Sequence, residues 1–462
     1  MYRRCLLILI LVFLLLLPAC ATLPRINDKR PNFLIILTDD QRYDTMSYDG
    51  VMPVTQATLF DQGATFTHAY DTSPLCSPSR ANLLTGMYAH NDGVETDQSK
   101  LNYPNFIYTL HQNGYYTGLV GKYLNTWNGE LRPEFDDWVS FFGGESRYIN
   151  PELNDNGTWS THQGYITDIL GDYAVKFLDQ AATQPRPFIL YFAPNAPHQT
   201  ATPDPVDADK LTNLPPWRPP SFNEPDVSTK PQWLQYKSLN AKEIAGVDKF
   251  RRYQLLTLMA LDRTDAKIFD TMRRNGQLDN TMIIYLTDNA LFWGEHRMTQ
   301  KNSLYEESVH TPFAIRYPPL ISKPVVENRL VSTIDIAPTI LQLAGIPIPS
   351  NMDGLSMVNL FEGGPWRNVL LLEGWPPRGE YAAVHTERYV YAETTDDKSE
   401  FYDLQTNPYE LGNQIDDPQY QTIIQQLRVQ LHLLEAQKGA PPTLAPIWVP
   451  NLNPTVVPTP AP

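Results

Sequence analysis

Thr38-Asp39-Asp40 and Thr287-Asp288-Asn289 each follow an apolar run, and together they offer three carboxylates and one amide. Oxygen donors of this kind suit a hard divalent cation. With no Cys or His beside either pair, zinc is disfavoured. Either pair alone reads equally well as the N-cap of a following helix. Two such pairs after two apolar runs point to a metal site, with Ca2+ favoured over Mg2+. The chain also carries Leu75-Cys76-Ser77-Pro78-Ser79-Arg80, Gly121-Lys122, Ala196-Pro197-His198 and Lys301. Taken singly, a Cys is by default a small core residue, a Lys a solvated one and a His a hydrogen-bonded structural one. A thiol nucleophile would need a His partner that lowers the pKa of Cys76, and the sequence places none beside it.

The elements that must position these residues follow from hydropathy. The run 32–38 (NFLIILT) is near-continuously apolar, the mark of a strand buried on both faces of a parallel sheet. Similar runs stand at 117–120, 188–192 and 282–286, with a weaker one at 313–317. Helical patterns lie between them at 54–62, 165–180 and 249–274. The last has Arg273 and Arg274 in its final turn and Gly276 as its C-cap. Alternating strands and helices predict an α/β core with a mainly parallel sheet, whose ligands collect beyond the carboxyl ends of the strands. A helix is expected over 332–346, ending near Gly345. Short antiparallel strands at 369–372, 381–385 and 388–393, then a helix at 422–437, predict a smaller α+β subdomain. The boundaries are expected at 31–360 for the catalytic domain and 361–438 for the subdomain.

The eleven residues from Cys76 to Gly86 fit the pattern C-x-P-x-R-x-x-L-L-T-G, which resembles the signature of the type I sulfatases. The likeness extends over 31–345 and recurs at 401–413. It implies an alkaline-phosphatase-like α/β core and hydrolysis of sulfate esters. In that family the Cys is oxidised to formylglycine, whose hydrate supplies the attacking hydroxyl and a second one that later expels sulfate. The resemblance assigns Asp39, Asp40, Asp288 and Asn289, with residue 76, to calcium. It gives Lys122 and Lys301 to the sulfate oxygens, makes His198 the acid for the departing oxygen, and implies Asp288 as acceptor of the nucleophile's proton. Pro78 is expected to break the turn so that residue 76 faces the metal, with Arg80 one helical turn on. Two Lys, one Arg and a dication around a dianionic centre are what developing charge demands.

Within the family, Gly121-Lys122-Tyr123-Leu124-Asn125 and Pro220-Ser221-Phe222-Asn223-Glu224 are similar to the N-acetylglucosamine-6-sulfatase and heparan endosulfatase branch. Two departures stand out. Leu124 occupies the place of a His often proposed as a base, and Phe292 stands where relatives often have another His. Asn125 cannot replace a general base near neutral pH. His296, in Gly294-Glu295-His296, reads as a substrate contact, a proton carrier or a structural residue, and His90 fits a family stretch without chemistry. The proline-rich stretch 199–245 reads as a lid or wall, in which Trp217 and Trp233 either stack on a sugar ring or pin the loop. The implied substrate is a sulfated amino sugar or related glycan, and the implied partner a formylglycine-generating or sulfatase-maturating enzyme. The alternatives are a phosphate or phosphonate ester hydrolase of the same superfamily and a lipoprotein that binds sulfated glycan without turnover.

The 462 residues carry 36 Lys and Arg against 51 Asp and Glu, a formal charge of −15. That acidity argues against nucleic acid as the partner, because phosphate binding wants a basic surface. With 42% hydrophobic residues the chain can bury a large core. A basic start at Arg3-Arg4, the apolar run 5–17 and Leu17-Pro18-Ala19-Cys20 read as a signal peptide with a lipobox over 1–20. The run is too short for a membrane span of ~20 residues. The rest of the chain is therefore expected outside the cytoplasm, in the cell envelope through a lipid anchor or secreted. Residues 21–30 read as a tether. Residues 439–462, with eight prolines, read as an unpacked tail.

Overall fold

The computed structural model describes residues 28–102, 104–376 and 379–439. The signal segment, most of the tether and the tail beyond Gly439 lie outside these residues. Strands β1 (Asn32–Thr38), β2 (Ala64–Phe66), β3 (Ala69–Tyr70), β4 (Tyr116–Gly121) and β5 (Asp137–Ser140) come first along the chain. They are followed by β6 (Glu152–Asp155), β7 (Thr158–Thr161), β8 (Phe188–Ala193), β9 (Thr281–Thr287), β10 (Phe313–Arg316), β11 (Val325–Glu327) and β12 (Val331–Ser332). Ten of them form one sheet in the order β11-β2-β10-β9-β1-β8-β4-β5-β6-β7, while β3 and β12 pair separately. Its centre, β9-β1-β8-β4-β5, is parallel; β10 lies antiparallel between β9 and the parallel pair β2-β11, and β6 and β7 add an antiparallel hairpin beside β5. The mainly parallel α/β core expected from the sequence is present.

The unbroken apolar runs have a simple cause. Side chains of a strand alternate between faces, and both faces of β1 are covered. Phe33, Ile35 and Leu37 pack with Leu83 and Leu84 of α1 (Cys76–Thr85) and with Ile336, Ile340 and Leu341, while Leu34 and Ile36 pack with residues of α2 (Ile166–Ala182) and α3 (Ala241–Arg274). All seven residues but Asn32 are buried. At roughly 1.5–3 kcal/mol per fully buried large apolar side chain, this strand alone anchors the sheet.

Three expected elements differ in detail. α3 starts eight residues earlier than the periodicity indicated, because Asn240 caps it. The Asn240 side chain accepts from the Lys242 and Glu243 amides at 2.9 and 3.1 Å, and Glu243 Oε2 accepts from the Asn240 amide at 2.8 Å. The helix expected over 332–346 opens as a 3-10 turn, Thr333–Asp335, before α4 (Ile336–Leu343). Pro78 does not break a turn. It sits in the first turn of α1, where amides have no intrahelical partner and proline is tolerated.

Near the C terminus, β13 (Leu370–Gly374), β14 (Tyr381–His385), β15 (Tyr389–Thr394) and β16 (Glu400–Asp403) form an antiparallel sheet in that order. One face packs on Ile423, Ile424, Leu427 and Leu431 of α5 (Gln421–Glu435). The other face, with Leu370, Leu372 and Tyr402, packs on Phe292, Leu304 and Tyr305 of the larger unit.

Candidate active site

β1 and β9 are parallel neighbours in a register that sets Thr38 opposite Thr287. The next residues, Asp39-Asp40 and Asp288-Asn289, therefore emerge side by side. The Asp288 amide donates to Thr38 O at 3.0 Å, and the Asp40 amide to Asp288 Oδ1 at 3.2 Å. β8 flanks β1 on its other side and leads to His198, with the Asp39 amide bonded to Ala196 O at 3.1 Å. β4 comes next and leads to Lys122. Four adjacent strand ends thus supply six of the residues singled out above. α1 supplies two more, Cys76 in its first turn and Arg80 one turn later.

The side chains converge in a buried knot. Lys122 Nζ donates to Asp39 Oδ2 at 2.7 Å, and Arg80 Nε to Asp288 Oδ2 at 2.8 Å. Lys301 Nζ pairs with Asp40 Oδ1 and stands 2.8 Å from Cys76 Sγ, which lies 3.7 Å from Asp39 Oδ1. Asp39, Arg80, Lys122 and Asp288 are 0% exposed. Burial opposes the charge on Asp39, but Lys122 foremost, with His198, Arg80 and Lys301, holds its carboxyl well below the usual range. Burial likewise works against charge on Lys122, and the Asp39 carboxylate outweighs it, keeping the ammonium protonated. For Cys76 burial wins and pushes the thiol up, although Lys122 and Lys301 oppose it. A thiolate nucleophile is therefore disfavoured at this position.

Three cations face three carboxylates here, so a dication would bring a net positive charge suited to an anionic substrate group. The donor set fits such an ion. One ligand atom each from Asp39, Asp40, Cys76 and His198 lie within 4.8 Å of one another. Asn289 donates through Nδ2 to Asp40 Oδ1 at 2.6 Å, and its Oδ1 is buried without a partner. Carboxylate and amide oxygens favour a hard cation. Asp288 is engaged differently: Oδ2 holds Arg80 and Oδ1 accepts the Asp40 and Asn289 amides. A carboxylate oxygen has two lone pairs, so Oδ2 keeps one beyond its bond to Arg80.

His198 Nδ1 lies 2.7 Å from Gln199 O. A carbonyl only accepts, so Nδ1 carries a hydrogen and Nε2 faces Asp40 Oδ2 at 3.7 Å. Leu124 is a core residue, 3% exposed. The neighbouring Asn125 bonds through its amide to Ser77 Oγ at 3.0 Å, next to Cys76. Phe292 is buried against the C-terminal sheet. His296 is held between Glu224, 2.8 Å from Nδ1, and Glu307. His90 reaches Glu373 and Gln437. Trp217 bonds to Glu295, and Trp233 stacks on Tyr381, so both tryptophans pin the long loop.

Sequence reasoning passed over several supporting residues. Gln254 of α3 donates to Pro197 O at 3.1 Å and accepts from Trp293 Nε1, fixing the His198 loop. The Tyr148 hydroxyl donates to His198 O at 2.7 Å. Asp71 is fully buried with neither carboxyl oxygen partnered, and burial, then Asp288, pushes its pKa well up. A single Gln on a helix and a single Tyr in a loop carry no local signal. An acid five residues before Cys76, in an otherwise apolar and small-residue stretch, was the one visible oddity.

Residues 31–346 match the family model "Sulfatase", and 294–437 match "N-sulphoglucosamine sulphohydrolase, C-terminal". An extracellular sulfatase Sulf-1 homolog of Caenorhabditis elegans is 32% identical over 398 residues, covering 79% of this chain. The chain spans 55% of that relative's length. The N-acetylglucosamine-6-O-sulfatase of Bacteroides thetaiotaomicron is 27% identical, with 86% and 85% of the two chains covered. A solved structure of a protein in complex with its substrate D-glucosamine-2-N,6-O-disulfate superposes with a TM-score of 0.77 at 25% identity, over 87% of this chain and 97% of that one.

Proposed function

The chain belongs to the sulfatase family of sulfuric ester hydrolases, and from that premise we propose that it hydrolyses a sulfate ester of an amino sugar or related glycan at the buried knot around Cys76. The reading rests on one observation above all. Cys76 sits in the first turn of a helix against three cations and the strand-end oxygens of two adjacent parallel strands. In this reading Asp39, Asp40, Asp288, Asn289 and residue 76 would hold a calcium ion, which would supply a Lewis acid, and a formylglycine made from Cys76 by a maturating enzyme would supply a hydrated aldehyde as nucleophile.

The chain's own residues do the rest. Lys122 and Lys301 hold sulfate oxygens, and Arg80, fixed by Asp288, adds a cation at the same centre. His198, in its imidazolium form, holds a second proton at Nε2 and gives it to the departing sugar oxygen. The relatives of amino-sugar type favour a glucosamine-like substrate. Residues 31–360 make the catalytic unit and 361–438 the smaller subdomain. Export, with a lipid anchor at Cys20, completes the proposal; among the described residues no helix is long and apolar enough to cross a membrane.

Peptide mass spectrometry across Cys76, run on active enzyme, tests the nucleophile. An intact thiol in fully active material ends the proposal. Turnover of aryl sulfate against aryl phosphate, after chelation and with Ca2+ restored, tests the reaction class. Activity is expected to vanish with chelator, return with Ca2+ more fully than with Mg2+, and favour the sulfate.

A further inference from the structure

A second group of ligand atoms lies apart from the knot at Cys76. One atom each from His296, Glu307 and Glu410 lie within 4.8 Å of one another. Three of the atoms that meet there have no hydrogen-bond partner: His296 Nε2, Glu307 Oε2 and Glu410 Oε1. His296 is 0% exposed and Glu410 1%. Such a convergence of unpartnered buried polar atoms is costly unless something sits between them.

The tautomer of His296 sharpens the point. Its Nδ1 lies 2.8 Å from Glu224 Oε2, and a carboxylate accepts, so Nδ1 carries the hydrogen. Nε2 then faces Glu307 Oε2, 3.6 Å away, too far for a hydrogen bond. A carboxylate that orients an imidazole in this way is the usual second partner of a metal-bound histidine. The remaining oxygens are already engaged: Glu307 Oε1 accepts from Ser221 Oγ at 3.2 Å, and Glu410 Oε2 from the Glu306 amide at 3.0 Å.

The neighbouring ammonium does not fill the gap. Lys230 Nζ directs its three donors to the Tyr305 and Tyr402 hydroxyls and the main-chain oxygen of Glu410, at 3.2, 3.3 and 2.7 Å. We propose that His296, Glu307 and Glu410 bind a second divalent cation, of the borderline class typified by Zn2+. One imidazole nitrogen with two carboxylates suits that class better than the all-oxygen set at Asp39. Ligands about 2.0–2.1 Å from a tetrahedral ion stand about 3.3 Å apart, close to the 3.6 Å seen between His296 and Glu307.

The cation joins three parts of the chain. His296 and Glu307 bracket Lys301, and the His296 amide is bonded to Ser221 of the long loop at 2.8 Å. Glu410 comes from the turn after β16. The ion therefore ties the segment that carries Lys301 to the C-terminal sheet and the loop, acting as a clamp and not as a reactant.

The test uses the full chain, stripped with chelator, saturated with Ca2+ and titrated calorimetrically with Zn2+ alone. About one equivalent is expected to bind with sub-micromolar affinity and to raise the melting temperature. X-ray absorption of the loaded wild-type protein is expected to show one imidazole nitrogen and carboxylate oxygens around zinc. His296→Gln and Glu410→Gln are expected to weaken uptake by about 100-fold or more; the absorption spectrum needs neither variant to fold. No uptake by the wild type, uptake with no imidazole in the spectrum, or uptake unchanged in folded variants overturns the proposal, leaving a proton on His296 as the occupant.

Discussion

His198 donates Nδ1–H to the carbonyl of Gln199, which leaves Nε2 as the ring atom that faces the knot. If that nitrogen protonates the departing oxygen, its value depends on how badly the leaving group needs a proton. His198→Gln is expected to slow a sugar sulfate by about 10²–10⁴-fold, the usual span of general acid catalysis. A nitrophenyl sulfate, whose phenolate leaves unaided, is expected to lose far less. Equal losses on both substrates, read as kcat, would remove His198 from that role. Lys122→Ala is expected to cost about 10²–10³-fold in kcat on both substrates, since it removes a charge that the sulfate needs whatever leaves. Because Lys122 is fully buried against Asp39, the same change leaves a carboxylate uncompensated, and a lower melting temperature is expected with it.

At the scale of elements, the site is a consequence of strand register. Thr38 opposite Thr287 places both acidic pairs at one edge, and slipping β9 by a residue would turn its side chains to the other face. Gly121 marks where β4 ends and Lys122 begins. Its φ is +120°, and a Cβ there would lie 2.0 Å from Ala193 O of β8. Gly121→Ala is expected to destabilise by roughly 3 kcal/mol or more, combining overpacking with a disfavoured backbone, and to displace Lys122. Urea denaturation alongside aryl sulfate turnover measures both. The long loop behaves as a wall. Trp233 stacks on Tyr381 with ring centroids 5.9 Å apart and packs against the C-terminal sheet. Trp233→Ala is expected to lower stability by about 2–3 kcal/mol, with KM changed by less than its stability effect would suggest for a sugar platform. A large KM rise at unchanged melting temperature would reverse that assignment.

The larger unit and the C-terminal sheet are held together partly by polar contacts, and one of them titrates. His90 Nε2 lies 3.1 Å from Gln437 O and Nδ1 2.7 Å from Glu373 Oε1 on β13. The carbonyl takes a hydrogen from Nε2, so the bond to Glu373 needs a second proton. Burial works against the charge, but the hydrogen bond to Glu373 outweighs it and raises the pKa to about 8. A folded value above the unfolded one, about 6.5, gives a contribution that is complete below about pH 6.5 and fades as pH rises through about 8. His90→Gln is expected to cost about 1 kcal/mol at pH 6 and almost nothing at pH 9. Denaturation of both proteins at the two pH values checks it; a constant difference would assign His90 a neutral packing role.

Local physics made much of this protein legible from its residues. A strand covered on both faces must be apolar throughout, so β1, β8 and β9 were readable as runs, and polar residues just past them had to lie at strand ends. The Cys76–Gly86 pattern carried the family because a buried helix start tolerates few substitutes. Short-range patterns could not show which strand ends are neighbours, because pairing joins residues some 250 positions apart. Separations of 57 and 50 positions hid Gln254 and Tyr148, each an ordinary residue until folding sets it beside the His198 loop. His296 is the sharpest case: its sequence allowed a substrate contact, a proton carrier or a structural role. Only packing against Glu224, Glu307 and Glu410, from three separate stretches, determined which atoms its ring nitrogens meet.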